Sequence, residues 1–188
     1  MKLKLIAAAS LVAFSALANA QSSVTMVYGV QEAVPSNVQS HITNFVGRTT
    51  AIKNVLTVDA GIYTTTADVA RTITNRYEIG ATGGYDVNQM FRGDVRLATG
   101  MKSVSAKQDF GYYSVEPGIN AKLGDFTGRV AYRFRTAYDS TANADTSNTM
   151  RYAVGYNITK QDRVTVGYDA LRGDGANNST TIAYTRSF

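Results

Sequence analysis

The stretch TTIAYTRSF, residues 180–188, divides into two sets by alternation. Ile182, Tyr184, Arg186 and Phe188 fall on one side with Thr180, while Thr181, Ala183, Thr185 and Ser187 fall on the other. Period two is the spacing of a β-strand, whose successive side chains point to opposite faces. The final residues of a domain are poorly ordered unless something ties them down. A strand that carries Ile, Tyr and Phe to its last position therefore predicts an apolar surface waiting for that face.

The pattern repeats upstream. Residues 163–171 place Val164, Val166, Tyr168 and Ala170 on one face, and residues 148–158 place Met150, Tyr152, Val154, Tyr156 and Ile158 there. Residues 126–138, 110–123, 90–101, 71–85 and 51–63 alternate in the same way, which predicts eight strands. Residues 24–30 supply a ninth, and the weakly alternating residues 38–48 are the place for the tenth that an even-numbered barrel needs. Eight strands are the alternative, with residues 21–50 then forming a periplasmic or luminal arm.

The first residues belong to a different class. MKLKLIAAASLVAFSALANA, residues 1–20, has a positive start at Lys2 and Lys4, an apolar run and a small-x-small ending at Ala18-Asn19-Ala20. Those are the parts of a secretory signal, and the run is shorter than the roughly 20 residues of a membrane-spanning helix. Cleavage near Ala20 is expected, leaving residues 21–188 as one domain. The formal net charge of +5 includes the two leader lysines, and the remaining charges are spread along the chain. That pattern gives no support to a nucleic-acid partner. The chain has no Cys, so an exported domain of this size is held by its fold rather than by disulfides.

Short connections at residues 86–89, 124–125 and 159–162 alternate with longer polar ones at residues 102–109, 139–147 and 172–178. This is the expected rhythm of an all-β, antiparallel up-and-down transmembrane barrel with tight periplasmic turns and longer outer loops. Ten residues at about 3.3 Å each, tilted by about 45°, cover roughly 23 Å, close to the apolar band of such barrels. Alternation alone also fits a soluble sandwich. Tyr63, Tyr77, Tyr85, Tyr138 and Tyr156, near predicted strand ends, favour the membrane reading as an aromatic girdle.

The ends of the exported chain resemble a known family. QSSVTMVYGV, residues 21–30, is similar to the opening strand of gram-negative general porins, and YNITKQDRVTVGYDALRGDGANNSTTIAYTRSF, residues 156–188, resembles their last two strands. The resemblance implies the outer membrane, with its lipid and lipopolysaccharide, as surroundings. It also implies that Ile182, Tyr184 and Phe188 serve as the signal read by the barrel assembly machinery. General porins are about twice this long, with sixteen strands and a long loop folded into the pore. No loop here is long enough for that role, so the constriction does not carry over.

The second face of the strands carries Arg76, Glu78, Arg92, Asp94, Arg96, Glu116, Lys122, Arg129, Arg133, Arg135, Arg151, Arg163 and Asp169, and Lys53 and Asp59 join them. Counting across the turns sets Glu116 opposite Arg133, Asn120 opposite Arg129, Arg151 close to Asp169 and Glu78 near Arg96. Basic residues outnumber acidic ones on this face, and excess positive charge in a confined tube favours anions. The expected function is therefore a small monomeric porin for ion transport, passing small, preferably anionic solutes, with Arg129, Arg133 and Arg135 as first candidates for selectivity, because Arg135 and at least one other lack an obvious carboxylate partner. The competing expectation is a closed-lumen structural or surface-interaction barrel.

Enzymatic chemistry is not expected. The single His41 has no constellation around it, and no cofactor or metal is called for. Residues 139–148 hold oxygen ligands without the spacing of a calcium loop, and GATGGYD, residues 80–86, precedes no helix, so its glycines are read as allowing curvature. Arg172-Gly173-Asp174 and Arg92-Gly93-Asp94 repeat one tripeptide, the second inside a predicted strand, which makes adhesion a weak reading.

Overall fold

The computed structural model describes residues 21–53, 55–69, 72–105, 108–141, 143 and 145–188; the expected leader lies outside them. Ten strands run in chain order: β1 (Ser22–Ala33), β2 (Gln39–Ile52), β3 (Leu56–Ala67), β4 (Ile73–Asp86), β5 (Phe91–Val104), β6 (Phe110–Leu123), β7 (Phe126–Ala137), β8 (Ser147–Asn157), β9 (Asp162–Gly173) and β10 (Asn177–Ser187). Each pairs antiparallel with its sequence neighbours, and β1 pairs with β10 to close the barrel. The weakly alternating stretch around His41 is thus a full strand. Pairing on both sides compensates for its poor pattern, because a closed barrel leaves no edge unpaired.

Ser23 lies opposite Ser187 and Ala33 opposite Asn177, so the start of β1 and the end of β10 sit on one rim. The described residues between β2 and β3, β4 and β5, β6 and β7, and β8 and β9 share that terminal rim, and the described residues of the other five connections form the loop rim. The predicted strict alternation of short and long connections weakens here. β9 and β10 extend to Gly173 and Asn177 and absorb most of the polar stretch expected to be a loop. Leu123 does lie opposite Phe126, joined by a two-residue turn in which Gly124 has φ of 59°, a conformation that suits Gly at the first turn position.

The distribution of burial decides between barrel and sandwich. A sandwich packs its apolar face against a second sheet, and among the described residues there is only the one closed sheet. Ile79 is 60% exposed, Leu97 57% and Ile182 54%, all on the outside of the closed ring. Covering a side chain of that kind stabilises by about 1.5–3 kcal/mol, so this band requires a hydrocarbon surrounding. The inside is the reverse: Asp59, Glu78, Glu116 and Arg96 are buried.

Of the tyrosines expected in a girdle, Tyr85 and Tyr138 are exposed on the outer surface, and Tyr156 stacks there on Phe126. Tyr63 is a correction. Ile62 takes the lipid side of β3, so parity turns Tyr63 into the lumen, under the guanidinium of Arg76 at 5.6 Å.

Candidate functional site

The lumen is built from the inward parity of each strand, and its charges sort into a waist and two mouths. At the waist, Arg96 on β5 donates through Nε to Asp59 Oδ1 (3.0 Å) and through Nη1 to Glu78 Oε1 (2.8 Å). Glu78 Oε2 in turn accepts from Arg133 Nη2 and from the Tyr112 hydroxyl (2.9 Å). A second cluster continues around the wall. Arg129 binds Asp94 Oδ1 (3.0 Å) and Glu116 Oε1 (3.1 Å), and Arg151 joins Glu116 Oε2 (2.8 Å) to Asp169 (3.2 Å). Asn120 completes the shell of Asp94. Four arginines thereby face five carboxylates, and the waist carries no positive surplus.

Glycines make this packing possible. A Cβ at Gly80 would come within 2.6 Å of the Arg96 guanidinium, and one at Gly84 within 2.4 Å of that of Arg92. Two of the glycines read as curvature devices, Gly80 and Gly84, thus lie beneath arginines, while Gly83 has open space beside it.

The loop-rim mouth holds Arg76, Lys102 and Arg135. Asp145, from the connection between β7 and β8, reaches in and accepts from Lys102 Nζ (2.6 Å) and Arg135 Nη2 (2.9 Å). The terminal-rim mouth holds Arg48, Arg92, Lys122 and Arg163, each near the rim end of its strand. Arg92 pairs with Asp86 (2.9 Å), and Arg163 binds Asn157 Oδ1 (3.0 Å). Among the described residues, Arg48, Arg76, Lys122 and Arg163 have no ion pair. Lys122, Lys160 and Arg163 also line a cavity of about 500 Å³ at this rim, together with Asp125, Tyr156 and Asn157.

The opposite wall, from β9 through β10 to β1, is small and almost uncharged. Thr165, Gly167, Thr181, Ala183, Thr185, Thr25 and Val27 are only partly buried. They face the inside of the barrel across from the ion-pair network. Nearer the loop rim the wall closes, and Ser40, Ile42, Asn177 and Ser179 are buried.

The structure unites most of the residues read from the sequence but redistributes their partners. Arg151 meets Asp169, and Asn120 lies opposite Arg129, as counted. Glu78 reaches Arg96 diagonally, since its direct neighbour across β5 is Gly100. Glu116 binds Arg129 and Arg151, while Arg133 goes to Glu78. Arg135 was expected to lack a carboxylate and has Asp145. Lys53 lies beyond β2, in the turn, and not on the inner face.

Sequence reasoning missed Asp145, Lys102 and Arg48. Asp145 looks like one more polar loop residue, and only the unbalanced Arg135 hinted at a partner. Lys102 was lost because β5 runs past Met101 to Val104, and Arg48 because the tenth strand alternates poorly. His41 faces outward, stacked on Tyr28 and 3.4 Å from Asp68, away from the luminal charges. Arg172 and Asp174 are engaged locally, with Asn178 and the Thr146 amide.

No protein-family model matches the chain, and neither does any curated protein. Among solved structures, a KdgM porin is similar at 13% identity and TM-score 0.52, over 88% of this chain and 99% of that one. The COG4313 outer membrane channel from Pseudomonas putida F1 is similar at 9% identity and TM-score 0.56, over 90% and 95%. The beta domain of the Bordetella autotransporter BrkA gives 9% identity and TM-score 0.55, over 90% and 99%. What the chain has in common with all three is the fold: it is a closed, antiparallel outer-membrane-type β-barrel, here with ten strands.

Proposed function

We propose that the chain forms a narrow, monomeric channel of the gram-negative outer membrane for passive diffusion of small anionic solutes. The observation that carries this reading is the placement of charge. Cations without carboxylate partners stand at both mouths, while the waist between them is internally paired. A confined entrance with one sign of charge raises the local concentration of the opposite ion. A paired waist holds its arginines in place without trapping the ion that passes. The proposed route runs along the small wall of Thr165, Thr181, Ala183, Thr25 and Val27, whose short side chains are only partly buried. Likeness of fold to proteins named porin and channel supports the same reading. Closure of β1 on β10 leaves no free sheet edge, which favours a monomer.

A second reading, a closed barrel acting through its surface, is favoured by the buried patch of Ser40, Ile42, Asn177 and Ser179 near the loop rim. Planar-bilayer recording of the refolded protein separates the two. Stepwise conductance is expected, and its absence favours the closed barrel. Replacing Lys122 and Arg163 together with Gln should leave the fold intact and lower the chloride-over-potassium permeability ratio. One charge about 10 Å from a passing ion contributes roughly 0.4 kcal/mol in water, about a factor of two with opposite sign for anion and cation, so the pair is worth about fourfold for each ion and about sixteenfold at most in the ratio.

A further inference from the structure

The loop-rim mouth contains more positive charge than the barrel's own acids satisfy. Arg76 and Lys102 are direct cross-strand partners on the inner face, an arrangement of like charges that is unfavourable unless something bridges them. Arg135 approaches from β7, and all three cations have one carboxylate among them, that of Asp145. Asp145 is 1% exposed and belongs to a connection, not to the barrel wall. Its Oδ2, the Nε of Arg135 and the hydroxyl of Ser147 are all buried without a hydrogen-bond partner. Buried polar groups are almost always paired, so three orphans in one cluster mark a site that is only partly filled.

We infer that Arg76, Lys102 and Arg135 form a carboxylate-binding site at the outer mouth, and that Asp145 is its built-in, displaceable occupant. The ligand class is a small di- or tricarboxylate. One carboxylate takes the place of Asp145 on Lys102 and Arg135, and a second reaches Arg76, which Asp145 leaves without an ion pair. Displacement takes the Asp145 carboxylate out of the mouth, so the solute clears the entrance it uses. The direction of transport this serves rests on the anion-channel reading; the binding step does not require conduction.

The whole chain lacks Trp, so Ser140→Trp on the exposed part of the connection gives a single fluorescent reporter. Citrate added to the refolded barrel at constant ionic strength should shift its emission saturably, and chloride should not. Asp145→Asn should show the shifted emission without citrate. Lys102→Gln with Arg135→Gln should abolish the citrate response, with folding checked by heat-modifiable gel migration. Should that pair fail to fold, Arg76→Gln, on a less buried side chain, should raise the half-saturating citrate at least threefold and leave the resting emission unchanged. No citrate shift in the parent, or an undiminished one in these variants, overturns the site. A citrate response in a barrel that never conducts keeps the site and removes the channel; conduction without a citrate response does the opposite.

Discussion

Replacing Glu78 with Ala is expected to lower the unfolding free energy of the barrel by about 3–5 kcal/mol, the cost of breaking a buried ion pair from one side. Glu78 is 3% exposed and ties together three strands other than its own, through Arg96, Arg133 and Tyr112. Its removal leaves Arg133 without a carboxylate and Arg96 with Asp59 alone. The Tyr112 hydroxyl, on a side chain with no exposure, also loses its acceptor. Unfolding in urea from detergent or thin lipid vesicles, followed by heat-modifiable migration, reads the shift in midpoint. Glu78→Gln keeps the shape and one acceptor, so it should fall between the parent and Glu78→Ala. A loss below about 1 kcal/mol for Glu78→Ala would mean that the waist network is not a cross-brace.

Leu97→Arg tests the other face and should also cost about 2–4 kcal/mol, the range for Arg near the bilayer midplane on a barrel's lipid side. Leu97 is the seventh of fourteen residues in β5, 57% exposed, and lies beside Ala81 and Val115. The size of the effect is what discriminates. If this face met water, replacing an exposed Leu by Arg would change stability by about 0.5 kcal/mol or less. Tyr85→Arg near the terminal rim is the internal control, because the penalty falls to about 0–1 kcal/mol at the interface.

The fold was legible because one physical rule, period two with unlike faces, governs the whole chain. It located β6 to the residue and placed Glu78, Arg96, Arg129 and Arg151 on the correct side. The tenth strand was weaker, since around His41 the inward positions Ser40 and Asn44 resemble the outward positions His41 and Thr43 in polarity. Partner choice was less legible than facing. Arginine is long enough to bypass its cross-strand neighbour, so Arg133 reaches Glu78 two strands beyond its neighbour β6, and Glu116 is left to Arg129 and Arg151. Loop residues that fold inward were not legible at all: nothing in the local sequence distinguishes Asp145 from the exposed Asp139. Arg129, Arg133 and Arg135 are all ion-paired, so the proposed selectivity rests instead on the unpaired cations of the mouths.

The central claim is that these mouths draw anions through the barrel. The reversal potential of the unmodified protein in a planar bilayer, under a tenfold gradient of potassium chloride, tests it most directly. A potential displaced toward the chloride equilibrium value is predicted. Displacement toward the potassium value, or a barrel that inserts and carries no current, would contradict the account.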